Sequence, residues 1–380
     1  LAENDPSAEA PQPAAGVRRT FDRKSIVKLI IRLVVLVLVA WGISRTVRSA
    51  WRELDQRQTE TNEQLAILRA KIAAGPADSR EVIAWRREVE QLERQSFSPW
   101  RVDWRWAALS GVFYLVGLLP NWWFWRESMR ALGGKPRLAA SLAAYFIGHL
   151  GKYVPGKAMV VVLRSGLVKD ERTGATVAAT AVFVETLTMM AVGAAVSTIV
   201  LLVVFPHWLM ILLACGVLVA TGLPTAPPIF RRVVRFLKVR KADPELESRL
   251  EHLDWPLMGK GWLAIGAGWV CLGLSLWATL RSLNAGLGGG LASELPLLIA
   301  AVALAMVLGF ISLIPGGAFV REWVVTTLLA TTYGAAAALA AAVWLRLNWL
   351  MSELVISIIL YGCVARSPRS SDPPSPRESG

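Results

Sequence analysis

The sequence predicts an all-α polytopic membrane protein of about six full crossings plus two re-entrant broken helices in an inverted repeat, with an extramembrane helical hairpin insert. Three observations lead to that class. Hydrophobic residues form 54% of the 380 and gather in long runs, giving a mean hydropathy of +0.46. The 41 Lys and Arg residues, which leave a net charge of +13, cluster beside those runs as the positive-inside bias requires. Two of the runs are interrupted by Pro-Gly pairs, at Pro155-Gly156-Lys157 and at Pro315-Gly316-Gly317.

Proline removes a backbone donor and glycine removes the steric bias toward helix, so each helix is expected to stop at its pair. Lipid offers no partner for the freed N–H and C=O groups. A break at membrane depth therefore persists only inside protein or beside a water-filled cavity. Aligned on their prolines, residues 155–160 and 315–320 agree at Pro, Gly, Ala and Val, and each is followed by an arginine, Arg164 or Arg321. Paired interruptions in two halves of one chain point to a transporter-type site.

The elements follow in order. Residues 1–25 form a disordered tail that turns basic at Arg18, Arg19, Arg23 and Lys24, which places the N-terminus in the cytoplasm before a first crossing over 26–43. Residues 45–101 read as a coiled-coil-like hairpin outside the membrane, with Leu65, Leu68 and Ile72 on one seam and Val82, Trp85, Val89 and Leu92 on the other. Ala74-Gly75-Pro76 makes its turn, and Asp78 with Glu81 resembles a helix-start capping pair. Gln58 and Thr61 at core positions make the seam imperfect, which leaves packing against the rest of the protein or against a partner as alternatives. Tryptophans bracket the second crossing, and residues 104 to 122 span roughly 27 Å at helical rise.

Residues 138–154 then enter the membrane between two basic loops, which favours a re-entrant hairpin over a crossing. Crossings are expected over 174–205, 208–223, 262–283 and 335–363. The strongest basic cluster, from Arg231 to Lys241, lies between the second and third of these four and should be cytoplasmic. Residues 296–314 enter from the opposite side and reach the second break, and 324–332 is short for a crossing. Together 26–363 make one transmembrane domain, and 364–380 form a second disordered tail, also cytoplasmic.

An ionised carboxylate at the centre of an apolar run costs about 2.5–3.5 kcal/mol even on the lenient insertion scale, so Glu185 must be compensated. Pairing with Arg164 or Arg321, binding a proton or a lipid headgroup, and plain helix packing all satisfy that demand. Arg346 and Glu353 stand seven apart on one face of the last helix, beside Asn348 and Ser352. They line a headgroup path or join helices by hydrogen bonds. Arg321-Glu322 suits a local ion pair at a helix start, leaving the arginine able to reach a phosphate. Lys152, Lys157 and Arg164 either hold an anionic lipid phosphate or mark an ordinary membrane edge. His149 reads as a packed or interfacial histidine.

Several classes are disfavoured. Basic residues confined to the flanks of apolar runs argue against nucleic acid. Cys215, Cys271 and Cys363 lack metal-ligand spacing, and there is neither a phosphate-binding loop nor a nucleophile–histidine–acid arrangement, so no metal, cofactor or enzymatic activity is expected.

The ordered set Gly151-Lys152-Tyr153-Val154-Pro155-Gly156-Lys157, Arg164, Glu185, Pro315-Gly316-Gly317, Arg321-Glu322 and Arg346 resembles the lysylphosphatidylglycerol synthase transmembrane region, a flippase-like family. The resemblance covers roughly residues 26–363 without the hairpin insert. It implies a multi-pass protein of the cell inner membrane that moves a phospholipid, or a lipid-linked headgroup, between leaflets. This chain departs from the family pattern at Phe319, where a glycine is usual, and at Thr186, where an arginine usually follows the glutamate. The alternatives are a membrane-embedded lipid-group transferase with Glu185 as base and a non-catalytic scaffold that recruits a partner through the hairpin.

Overall fold

The computed structural model describes the chain between residues 52 and 366, except for 53–54, 57–58, 77–78, 96–101, 154–157, 170–171, 205–207, 237–247, 286–289, 313, 315–316 and 318. The expected first crossing, both tails from 1–25 and beyond 366, and the Pro-Gly pairs themselves lie outside the described residues. What is described is all-helical.

The insert forms two helices, α1 over 59–74 and α2 over Arg80–Gln95. Leu65, Leu68 and Val82 are buried, as the seams require. Ser79 caps α2, its Oγ accepting from Val82 N at 3.2 Å. The expected cap, Asp78, lies outside the described residues.

Helix α3 (Trp104–Ala131) starts at Asp103, whose carboxylate accepts from Arg105 N at 2.9 Å. The first broken element follows as α4 (Leu138–His149), a short 3-10 turn (Leu150–Tyr153) and α5 (Ala158–Val168). Next come α6 (Ala175–Val204), α7 (Trp208–Gly222) and α8 (Pro227–Phe236). Helix α9 (Trp255–Ser282) opens on Asp254, which accepts from Leu257 N at 3.0 Å. The second broken element is α10 (Leu291–Ile311) with α11 (Val320–Tyr333), and Gly334, at φ 85°, turns the chain into α12 (Ala335–Arg366).

Among the described residues five helices have the length and apolarity to cross a membrane: α3, α6, α9, α10 and α12. Helix α7, at 15 residues, is shorter than the crossing expected there. Helix α10, at 21 residues, is long enough to cross although its segment was expected to be re-entrant.

Helices α3 and α9 form the central pair. A Cβ on Gly117 would lie 3.1 Å from the Gly268 carbonyl oxygen, and one on Gly268 would lie 2.8 Å from that of Gly117, so the two backbones touch where both side chains are missing. Above this contact Ser110 Oγ meets Ser275 Oγ and Thr279 Oγ1, each at 2.9 Å, and Trp349 Nε1 of α12 donates to Ser275 Oγ at 2.9 Å. Asn348 Nδ2 donates to the Ala107 carbonyl at 2.8 Å, while a Cβ on Gly111 would strike Ser352 Oγ at 2.6 Å. Asn348 and Ser352 therefore seat α12 on α3. Helix α6 packs against α3, α5, α7, α9 and α10, and α12 against α3, α4, α9 and α11. The two broken elements are thus each backed by a long polar-marked helix.

Candidate functional site

The first break brings its two arms into backbone contact. A Cβ on Gly151 would sit 2.8 Å from Val160 N, and one on Gly148 would sit 2.4 Å from Arg164 Cγ. Glycine at these two places lets the Arg164 side chain lie across α4.

Arg164 is 2% exposed, and its Nη1 donates to Glu185 Oε2 at 3.0 Å. Tyr145 Oη donates to the other oxygen, Oε1, at 3.0 Å, and Thr186 Oγ1 to Oε2 at 3.3 Å. The guanidinium lies 3.9 Å from the centroid of the Tyr145 ring, a cation–π contact. Burying both charges is tolerable because they pair with each other and Tyr145 and Thr186 satisfy the carboxylate, while Arg164 Nε is left without a hydrogen-bond partner among the described residues.

Arg164 Nη2 also donates to His149 Nδ1 at 2.8 Å. Arginine is only ever a donor, so Nδ1 accepts and the ring proton sits on Nε2. That nitrogen faces Glu353 Oε1 at 4.0 Å. His149 is therefore the link between two buried ion pairs, a role that its sequence neighbours did not suggest.

Glu353, fully buried on α12, accepts short hydrogen bonds from Lys152 Nζ and Tyr114 Oη. Lys152 Nζ lies 3.1 Å from Tyr114 Oη and 5.0 Å from the Tyr153 ring centroid. Trp349 stacks on Tyr114 with centroids 4.5 Å apart, holding the phenol against the carboxylate.

The second break repeats the first device. Gly317 is at φ 62°, and a Cβ there would meet Gly309 Cα at 2.9 Å and Arg321 Nε at 2.7 Å. Arg321 thus lies across two glycines, as Arg164 lies across Gly148. The expected local pair between Arg321 and Glu322 does not form, because the Arg321 side chain is laid back over Gly309 and Gly317. Glu322 instead accepts from Arg346 Nη1 on α12.

Arg346 and Glu353 stand two turns apart on α12 and take their partners from the two breaks, Glu322 from the second and Lys152 from the first, so the two breaks face one polar region. Among the described residues this region holds four cations (Lys152, Arg164, Arg321, Arg346) and three carboxylates (Glu185, Glu322, Glu353). Each carboxylate is matched to one cation, and Arg321 is left with none. Its Nε is buried without a hydrogen-bond partner. Of the sequence-predicted site residues, Lys152, Arg164, Glu185, Gly317, Arg321, Glu322, Arg346 and Glu353 are gathered here. Pro155, Gly156, Lys157, Pro315 and Gly316 lie outside the described residues. Tyr114, Tyr145, Tyr153 and His149 were not singled out in advance as members. Only the i, i+4 spacing of Tyr145 and His149 on α4 hinted at a shared face.

Phe319, at the N-cap of α11, adopts φ 72° and ψ −41°, a region in which a Cβ is strained. Phe319→Gly is expected to stabilise the protein by about 1 kcal/mol, the strain relieved minus the added chain entropy of glycine. A raised apparent unfolding midpoint at fixed scan rate would show it; a lowered one would mean that the ring's packing outweighs the strain.

Helix length, the paired breaks and the buried ion pairs together define a polytopic α-helical membrane protein with a charged site at interrupted helices. The family model described as the lysylphosphatidylglycerol synthase TM region matches residues 91–353, and the chain belongs to that family. The match begins at the end of the hairpin insert and closes on Glu353. No curated protein matches the chain.

Proposed function

We propose that the protein is a lipid translocator that carries an anionic headgroup between leaflets through the polar region between the two broken helices, its acyl chains remaining in lipid. The observation that carries this reading is Arg321. A partly buried cation without a carboxylate in a low-dielectric site is costly, and an anionic ligand compensates it. The neighbouring Glu322–Arg346 pair is the most solvent-accessible of the three at the site, which makes it the one most easily opened for a phosphate.

In this reading α4–α5 and α10–α11 are re-entrant hairpins that enter from opposite faces, the first from the cytoplasm. Six crossings, counting 26–43 and α7, then keep the basic loops and both termini in the cytoplasm, and the membrane is the cell inner membrane. Lys152–Glu353 and Arg164–Glu185, joined by His149, form the fixed wall of the path. No bond is made or broken, so the chain acts as a carrier and not as an enzyme.

The test is movement of fluorescent phosphatidylglycerol and phosphatidylcholine between leaflets of liposomes holding the purified protein, with Arg321→Ala beside it. One charge-assisted contact is worth roughly 1.5–3 kcal/mol, so the variant is expected to move phosphatidylglycerol about ten- to a hundredfold more slowly. Its unfolding midpoint should stay near that of the parent, since no ion pair is broken. Unchanged movement by the variant, or none by the parent, would overturn the proposal.

A further inference from the structure

A second basic concavity lies where α3 turns into α4, and it shares no residue with the site between the breaks. Arg126, Arg130, Gly133, Gly134, Lys135 and Pro136 line a cavity of about 430 Å³ there. This size falls in the range of ligand sites. Among the described residues its walls hold three cations and no acid.

Glu127 is the carboxylate in contact with them, and it is shared between Arg126 Nη1 at 3.4 Å and Arg130 Nη1 at 3.1 Å. Arg126 Nε is shielded from solvent without a hydrogen-bond partner among the described residues, and Lys135 makes no ion pair there. Behind the cavity Arg249 lies against Gly133, where a Cβ would be 3.0 Å from its Nη1. Gly133, at φ 85°, thus lets a third guanidinium pass behind the cavity.

The C-terminal dipole of α3 accounts for about half a charge of this excess. The remainder favours an anion there, with the shielded Arg126 Nε as its unsatisfied donor. The depth is also informative, because Trp123, three residues before Arg126, is exposed at 37%, and such tryptophans sit at headgroup level. Arginine forks and a lysine ammonium converging at that depth are suited to a phosphate.

We infer that the α3–α4 turn is a second binding site, for a phosphate group at the membrane surface, separate from the path between the broken helices. The phosphate belongs to a phospholipid headgroup or to a soluble phosphate ester, and the two sources are separable by experiment.

The test uses the full chain in detergent with Arg321→Ala as background, so that binding near the breaks does not contribute. Short-chain phosphatidylglycerol is titrated and binding is read by native mass spectrometry, beside Arg130→Ala/Lys135→Ala and the charge-matched control Arg232→Ala/Lys260→Ala. Arg130, Lys135, Arg232 and Lys260 are all exposed, so both double variants should fold. The expected result is an affinity about tenfold or more weaker in the first double variant and unchanged in the control. Competition by inorganic phosphate would assign the site to soluble phosphates, and binding that resists it would assign it to lipid headgroups. Equal affinity in both double variants, or equal binding of short-chain diacylglycerol, which has no phosphate, would overturn the inference. Neither result bears on Arg321.

Discussion

Replacing Glu185 with alanine is expected to destabilise the protein by about 3–5 kcal/mol, because it leaves the Arg164 guanidinium buried with no carboxylate. The surroundings cannot supply a substitute. Arg164 is held over Gly148 by α5, its other hydrogen bond ends on His149, and Tyr145 would lose its acceptor at the same time. Glu185→Gln keeps an acceptor for Tyr145 but not the charge, so it should recover only part of the loss. The informative comparison is Arg164→Gln/Glu185→Gln. Removing both charges abolishes the uncompensated ion, and the double variant should lose less than the two single variants together, by roughly 1–3 kcal/mol of coupling. Apparent unfolding midpoints at one scan rate would measure this, and simple additivity would show that the pair is not a unit. Water reaching Arg164 in the single variant would produce that additivity.

The second large effect is expected at Gly151. Its missing side chain faces the backbone of α5, with Val160 N at 2.8 Å and Met159 C at 3.0 Å from a notional Cβ. Backbone cannot swing aside as a side chain can, so Gly151→Ala must push the arms of the break apart, costing about 1–3 kcal/mol. The displacement would also pull Lys152, the next residue, from Glu353. Lipid movement should therefore fall together with stability. Gly266→Ala is the control, since a Cβ there meets nothing within 4 Å and alanine is the better helix former by roughly 0.5–1 kcal/mol. A Gly151→Ala variant as stable as the parent would mean that the arms are not in contact.

These two cases also mark where sequence reading succeeds and where it stops. Glu185 was legible as an acid in need of a partner because the cost of a charge in an apolar run follows from composition alone. Arg164 and Arg321 were both available to it, and only the packing of α5 on α6 selects Arg164. The neighbours Arg321 and Glu322 looked like a pair because adjacency is visible in a sequence. On the helix they diverge, and Glu322 reaches Arg346, 24 positions on. Lys152 and Glu353, 201 positions apart, gave no sign of each other. The positive φ of Phe319 is likewise invisible in the sequence, because it is set by how the second break folds.

By itself the sequence determined the class of protein, the position of most helices and the fact that charges would lie inside. Hydrocarbon demands long self-satisfied apolar helices, caps and Pro-Gly pairs end them locally, and the cost of burial makes each internal charge conspicuous. Only the tertiary structure decided which charge meets which, that His149 links two pairs, and that Arg321 is the cation left over. Partner choice depends on where backbones approach across glycines such as Gly148, Gly151 and Gly309, and periodicity records the face of a helix but not the helix that it will meet.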